Sequence, residues 1–396
     1  MHTSDGRTVL ITGAGPAGLL LGNLLLADGC KCTIIERNSR QQVESRARAG
    51  FLAAHSVRTL ERHGLAAGLL THGQRHSTCL FRTPEEQFEL DYAHLGQGEI
   101  HTVYPQQNLI ADLISEFLKR GGDLRFETSA IEVHDVLSDR PWILCRDAEG
   151  RTYQLSGRFI AGCDGQHGVA REATQRTAVR THHRDHQVSW LAVLADAPPS
   201  MAAVGYAMND RGFAGHMARS SSVTRYYLQI PRGDCPEQWP EQRVWEELSL
   251  RMQADHHGPL NQGPIRERRV VNMASYVTDP IQYGSLFLAG DAASLISPSA
   301  AKGANLAIME AEILAKALSA ALRTSNFESL VRYSTDCLPR IWRAQEFSHW
   351  MINLLHIPAG NDSEAYFLRA LQQTRVRSLR TSRRHQDYFA ENYVGI

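Results

Sequence analysis

The 396-residue sequence predicts an α/β fold: a Rossmann-like nucleotide-binding domain, an inserted β-rich substrate domain and a helical C-terminal region. Three observations predict it. A glycine-rich turn, Gly13-Ala-Gly15-Pro-Ala-Gly18, lies between a short apolar run and an apolar helical stretch. From about residue 181 to 269 helical periodicity is scarce and strand-like runs dominate. After Gly290-Asp291 the pattern is helical almost to the end.

The elements follow in order. Val9-Leu10-Ile11 is an apolar run of the kind buried in a parallel sheet. In the turn, Gly13 permits the tight bend, Gly15 lets a pyrophosphate approach the backbone, and Gly18 lets helix and strand pack closely. The helix expected over 17–27 would aim free N–H groups and a positive dipole end at phosphate. Gly29 is placed to end it. A second strand, Cys32–Ile35, delivers Glu36, about 20 residues past the turn, where an acid accepts bonds from a ribose. These parts together point to a dinucleotide site, but they do not tell FAD from NAD.

An arginine-rich loop, 37–48, precedes a helix expected over 52–63, with Gly64 as its stop. Residues 81–92 read as a strand pair. Residues 106–120 read as a helix carrying Leu109, Ile110, Leu113, Ile114 and Phe117 at helical spacing. Strands are expected at 123–126, 130–134, Trp142–Arg146 and Thr152–Ser156, the last two joined by the turn Asp147-Ala-Glu-Gly150. Phe159–Gly162 is another short buried strand and runs into Cys163-Asp164-Gly165. The β-rich stretch holds runs at 188–194, 203–208 and Thr224–Ile230, with one helix at 244–252. Residues 285–290 return to the parallel-strand pattern, and a long helix is expected over 301–322. These shifts assign 1–75, 103–180 and 270–335 to the nucleotide-binding domain. They assign 76–102 and 181–269 to the β-rich domain, and 336–396 to a helical region at an interface.

Composition narrows the function. Lys+Arg and Asp+Glu are both 42, so no net field favours nucleic acid or an anionic membrane. The seven cysteines are scattered and form no C-x-x-C pair, which argues against a disulfide frame or a zinc site. The polar start, MHTSDGRTV, has no signal-peptide core, and the apolar run 19–26 is too short to span a bilayer. The expectation is a cytoplasmic protein with no metal, membrane or nucleic-acid partner. His182-His183-Arg-Asp-His186 reads as a solvated hinge rather than a metal site.

Three nucleotide signals stand in sequence: Gly13–Gly18, Ile160-Ala-Gly-Cys-Asp164-Gly165 and Leu286-Phe-Leu-Ala-Gly290-Asp291. Four further stretches join them: Trp190-Leu-Ala-Val-Leu-Ala-Asp196, Arg225-Tyr-Tyr-Leu-Gln-Ile-Pro231, Pro298-Ser-Ala-Ala-Lys-Gly-Ala-Asn305 and Glu391-Asn-Tyr-Val-Gly395. Over essentially the whole chain this resembles the flavin-dependent aromatic hydroxylases of the para-hydroxybenzoate hydroxylase type. The resemblance implies non-covalent FAD, reduction by NADPH or NADH, and O2 as co-substrate. It implies hydroxylation of a phenolic benzoate ortho to an activating group through a flavin C4a-hydroperoxide, by a homodimer.

Residue roles follow from the same resemblance. Glu36 and Arg37 lie toward the adenosine ribose, Arg48 and Gln106 toward the pyrophosphate, and Asp164, Gly290 and Asp291 along the rest of the FAD. Asn305 matches a residue at the flavin ring, and Arg225 an arginine stacked near it. Arg46 and His167 match residues that meet the reductant, with Arg37 and Arg40 able to meet a 2′-phosphate. A phenol reacts faster as phenolate, so a proton must leave near neutral pH. Tyr206, Tyr393 and His76 match the family's relay; tyrosine can donate and accept, and histidine titrates in range. Arg219 matches the carboxylate-binding arginine, whose planar fork suits that group. Tyr227 matches its helper, Trp190 a pocket wall, and Pro298 and Ser299 the loop at the oxygenation site. Without the resemblance, the tyrosines read as core and Arg219 as a solvated strand residue.

The departures concern the pocket. Met217 stands where the family carries a serine, Gly215 for a leucine, Phe51 for a valine and Ser299 for a threonine. Gly215 is expected to open space beside the substrate ring, favouring an analogue with one more small group, such as 3-amino-4-hydroxybenzoate. Ala274 stands for a reductant-binding arginine and Gln42 for a tyrosine. Other readings are a flavin halogenase, another FAD oxidoreductase, or a non-catalytic dinucleotide-binding protein. The first lacks its W-x-W-x-I-P; a simple Rossmann dehydrogenase would not need Gly290-Asp291.

Overall fold

A computed structural model describes residues 8–46, 50–84, 86–175, 179–253, 259–358 and 362–395. Arg48 lies outside the described residues.

The nucleotide-binding half is built on a six-stranded sheet. Its order is Gln282–Tyr283, Leu286–Leu288, Phe159–Gly162, Val9–Thr12, Cys32–Ile35 and Asp123–Arg125. Five of these strands run parallel and the first is an antiparallel edge. The runs of the inner four, Leu286–Leu288, Phe159–Gly162, Val9–Thr12 and Cys32–Ile35, are short, apolar or small and wholly buried, as a parallel sheet covered by helices requires. The helix Pro16–Ala27 packs against Gln106–Lys119 and the long helix Gly303–Thr324. That long helix starts at Gly303 rather than at 301, because Ala301 takes a left-handed conformation, φ +53°, after the 3-10 turn Pro298–Ala300.

The second half is an eight-stranded sheet. Its order is Ser294–Leu295, Ile265–Asp279, Arg180–Ala195, Thr224–Ile230, Gly212–Ala218, Val204–Asn209, Thr78–Arg82 and Gln87–Asp91. The long pair Arg180–Ala195 and Ile265–Asp279 runs from Arg180 opposite Asp279 to Ala195 opposite Ile265. This strand passes unbroken through 269 and 270, where the sequence suggests a domain boundary. His182 to Asp185 therefore sit in a paired strand, not in a hinge, and His186 begins the irregularity in that strand before the pairing resumes at Ser189.

Side chains alternate across this sheet with period two. Leu191, Val193, Ala207, Ala214, Tyr226 and Leu228 pack under the helix Glu241–Met252. The opposite face carries Trp190, Tyr206, Phe213, Met217 and Tyr227 toward Phe51, Phe347, Phe389 and Tyr393, the last three from the C-terminal helices. No helix among the described residues is long and apolar enough to cross a membrane.

Candidate functional site

The nucleotide signals meet because of strand order. Glu36, Gly13, Cys163-Asp164 and Gly290-Asp291 each follow one of four adjacent parallel strands. They line the carboxyl edge of the sheet, where open α/β sheets bind ligands.

Each glycine of the turn has a distinct reason to be one. Gly13 has φ +96°, and a Cβ there would lie 2.4 Å from the Cys163 carbonyl oxygen. A Cβ on Gly18 would lie 2.1 Å from the Gly13 carbonyl oxygen. Gly15 differs: its Cβ would meet nothing within 4 Å. The N-terminus of the helix Pro16–Ala27 thus opens on free space that a dinucleotide's phosphates fit. Buried Glu36 accepts from the Ala14 N–H at 2.9 Å on Oε2, and from Asn38 at 2.9 and 2.6 Å on Oε1. A carboxylate has about four acceptor positions, so Oε2 keeps one for a ribose hydroxyl. Glu36, Arg37, Asp164 and His167 all line one cavity of about 80 Å3 beside Gly13. Burial raises the Asp164 carboxyl to about 6. These residues fit FAD: Glu36 would meet a ribose hydroxyl and the helix start at Gly15 the pyrophosphate.

Other expected contacts stand differently. Gln106 opens the helix Gln106–Lys119. Arg46 is exposed next to the undescribed segment, and Arg40 is paired with Glu44 at 2.7 Å. Gly290 has φ +64°, and its N–H donates to Glu310 Oε2 at 2.5 Å. Glu310 is wholly buried, which raises its carboxyl to about 8. Sequence reasoning missed it. The Asp291 carbonyl accepts from the Tyr276 hydroxyl. Asn305 has every amide position engaged: Oδ1 accepts from the Ala53 N–H and Ser56 hydroxyl, both at 2.8 Å. Its Nδ2 donates to the Phe51 and Ala301 carbonyls at 3.1 and 2.9 Å. Rather than reaching for a flavin ring, Asn305 ties the segment 51–53 to the long helix.

The second cluster lies on the sheet face toward the C-terminal helices. Tyr206, Gly215 and Tyr227 are cross-strand neighbours, as are Met217 and Arg225. Arg219 closes the hairpin after Gly212–Ala218, its N–H donating to the Val223 carbonyl at 2.9 Å. Burial lowers the Arg219 pKa, and Tyr227, Arg225 and Glu267 are its electrostatic neighbours. Arg225 is buried, with Glu267 3.7 Å away. Arg219 and Arg225 both stand near Glu267, and the planar guanidinium fork of an arginine suits a substrate carboxylate. Trp190 stands against Tyr227, ring centroids 4.8 Å apart. The Trp190 indole N–H donates to His356 Nε2 at 2.5 Å, so this residue offers the pocket only its ring. The Ser299 hydroxyl is likewise taken, by Ser348, at 3.2 Å. Pro298 is exposed.

Gly215 corrects an expectation. A Cβ there would lie 2.9 Å from Phe213 Cζ and 3.3 Å from Tyr227 Cδ2. The volume that a leucine would take is filled by two aromatic rings, so no gap opens.

The expected relay is joined at one end. The Tyr206 and Tyr393 hydroxyls lie 2.9 Å apart, both buried, and burial raises both pKa values well above the usual range. His76 turns elsewhere. Its Nε2 accepts from the Val204 N–H at 3.2 Å, so Nδ1 carries the proton and donates to the Tyr92 hydroxyl at 2.8 Å. Tyr92 donates to the His76 carbonyl at 2.7 Å and lies 3.2 Å from His101 Nδ1. The His101 ring packs edge-on against Tyr393, centroids 4.9 Å apart. Tyr92 and His101, which the sequence did not single out, therefore stand between His76 and the tyrosine pair. Desolvation lowers His76 to about 4, so it is neutral at neutral pH.

Comparison with known proteins shows the family. The family described as "FAD binding domain" matches residues 7–348. The p-hydroxybenzoate hydroxylase of Acinetobacter baylyi is 37% identical over 388 residues, covering 98% of this chain and 95% of that protein. The 3-amino-4-hydroxybenzoate 2-monooxygenase PtmB3 of Streptomyces platensis is 27% identical over 402 residues, covering 98% and 96%. The p-nitrophenol 4-monooxygenase PnpA from Pseudomonas putida DLL-E4 shares the fold, with TM-score 0.80 and 17% identity, covering 98% of this chain and 99% of that one.

Proposed function

Since the chain belongs to the FAD-dependent aromatic monooxygenases of the p-hydroxybenzoate hydroxylase type, we propose that it hydroxylates a phenolic benzoate ortho to its hydroxyl. The substrate is 4-hydroxybenzoate or an analogue with one further small group. The observation that carries this reading is the arrangement on one sheet face. Paired tyrosine hydroxyls stand at one end, half-buried Arg219 and buried Arg225 at the other, and the rings of Trp190 and Tyr227 between them. A flat ring with a phenol at one end and a carboxylate at the other matches it.

Bound FAD, reduced by NADPH or NADH, supplies the electrons and the site for oxygen activation. This chain's residues do the rest. Arg219, with Arg225 beside it, holds the substrate carboxylate. The substrate phenol donates toward Tyr206, and Tyr206 passes the proton to Tyr393 over 2.9 Å. Burial makes tyrosinate costly, so the hydroxyls transmit the proton rather than keep it. Beyond Tyr393 lie the rings of His101 and Tyr92, and then His76, whose two ring nitrogens are already engaged by Tyr92 and the Val204 N–H. The name of the Acinetobacter relative supports 4-hydroxybenzoate; the Streptomyces relatives support an amino-substituted ring at lower identity. We read the enzyme as cytoplasmic and homodimeric, which subcellular fractionation and light scattering would test.

The test is turnover of FAD-loaded protein with each nicotinamide cofactor, O2 and a panel of hydroxybenzoates. Reductant consumption stimulated by one member, with a catechol-type product, is expected. A protein that binds FAD but forms no hydroxylated product from any member contradicts the reading.

A further inference from the structure

Phe213 is a large side chain with no assigned role, yet it sits among the residues of the proposed pocket. It is wholly buried on the strand Gly212–Ala218. Its ring stacks on Trp190, centroids 5.1 Å apart and planes 29° apart, and lies 6.3 Å from the Tyr206 ring. The ring tip occupies the position from which any side chain at 215 would grow, 2.9 Å from that Cβ. Two residues along a strand share a face and stand about 6.6 Å apart. An aromatic ring can bridge that distance only when the residue between its tip and the pocket is glycine.

The ring is also held in place. The Phe213 N–H donates to Gln229 Oε1 at 3.1 Å, and its carbonyl accepts from Arg251 Nη1 at 3.3 Å. Gln229 Oε1 accepts from the Ile357 N–H at 3.2 Å as well. His356, beside it, takes the Trp190 indole proton and packs against the Phe213 ring, centroids 5.4 Å apart. The backing is a satisfied polar network, which favours a fixed wall over an adaptable one.

We infer that Phe213 is a specificity-determining residue: together with Gly215 it closes the substrate pocket on the side of the strand Gly212–Ala218. The inference rests on the proposed phenolic benzoate substrate and deepens it. Substrates are phenolic benzoates whose ring edge toward that strand bears only hydrogen; a further group is accepted only on another edge. Residues 213 and 215 act as one volume unit, so a change at one is compensated at the other.

The experiment uses FAD-loaded protein and reads the dissociation constants of 4-hydroxybenzoate and 3,5-dimethyl-4-hydroxybenzoate, which must place a methyl on each ring edge, from the flavin absorbance change. Phe213→Ala removes the wall. The preference for the unsubstituted acid should fall by roughly 10–200-fold, the span for one methyl-sized group in an apolar pocket. Gly215→Leu alone should weaken both ligands, and Phe213→Ala with Gly215→Leu should restore the wild-type preference. Phe213→Leu and Gly215→Ala are gentler versions that should move the same ratio in the same directions. If wild type binds these acids and neither Phe213 variant changes the ratio, Phe213 is not the wall, and the substrate reading stands. If wild type binds no phenolic acid, the substrate reading falls and Phe213 falls with it.

Discussion

Gly15→Ala separates cofactor binding from folding more sharply than any other single change. Gly15 caps the helix Pro16–Ala27 with φ −83° and ψ −176°, an extended conformation open to any residue. Losing glycine as a cap costs a few tenths to about 1 kcal/mol. Restricting the unfolded chain returns about 0.4–1 kcal/mol. With nothing within 4 Å of the new Cβ, the apoprotein should keep its stability to within ~0.5 kcal/mol. FAD should feel the methyl, because the pyrophosphate has to lie in that free space. Displacing it from one charged hydrogen bond costs about 1.5–3 kcal/mol, or roughly 10–150-fold in affinity. Gly18→Ala is the control. Its Cβ would sit 2.1 Å from a backbone oxygen, so helix and strand must part, and the apoprotein should lose about 1–3 kcal/mol. Denaturant unfolding of the apoprotein and flavin fluorescence titration read the two effects. A Gly15→Ala protein that binds FAD like wild type would show that the pyrophosphate lies elsewhere. One destabilised like Gly18→Ala would show that the space is not free.

Three further predictions follow from the site. Arg219→Lys keeps the charge but loses the fork, and should weaken 4-hydroxybenzoate binding by about 1.5–3 kcal/mol; equal binding of acid and methyl ester by wild type would count against the anchor. Tyr393→Phe removes the hydroxyl 2.9 Å from Tyr206. The bound phenol should then need a higher pH to appear as phenolate in its ultraviolet spectrum, with FAD affinity unchanged, and an unaltered phenolate titration would refute the relay. Glu310 has its folded pKa raised to about 8, so between roughly pH 4.5 and 8 the folded state holds a proton that the unfolded state gives up. Its contribution to stability is complete below that window and is lost as pH rises through it. Relative to Glu310→Gln, the wild-type apoprotein should lose up to ~1 kcal/mol per pH unit between pH 5 and 7. Parallel stability curves would mean that Glu310 is ionised there.

The nucleotide crevice was legible in the sequence because its signals are local. A glycine turn, a short apolar strand and an acid at fixed spacing each carry their own physics, and the sheet only sets them side by side. The β-rich half was less so. The strand Gly212–Ala218 reads GFAGHMA, with two glycines and no β-branched residue, and only its neighbours hold it in the sheet. The residues missed there are ones the fold brings together from far apart. Tyr92 reaches His76 and His101 across a strand and a 3-10 turn. His356 reaches Trp190 from the end of a C-terminal helix. Gly215 shows the same limit in reverse: the sequence records a lost side chain but not the Phe213 ring that fills its place.

The central claim is ring hydroxylation of a phenolic benzoate held between Arg219 and the Tyr206–Tyr393 pair. Its most direct measurement is product formed per reductant consumed, with FAD-loaded wild type, O2 and 4-hydroxybenzoate or a small-group analogue, beside the corresponding para-methoxy acid. The account predicts one hydroxylated product per reductant for a free phenol, and little product from the methoxy compound, which has no proton to give Tyr206. Equal hydroxylation of both, or fast reductant consumption that no phenolic acid stimulates, would contradict it.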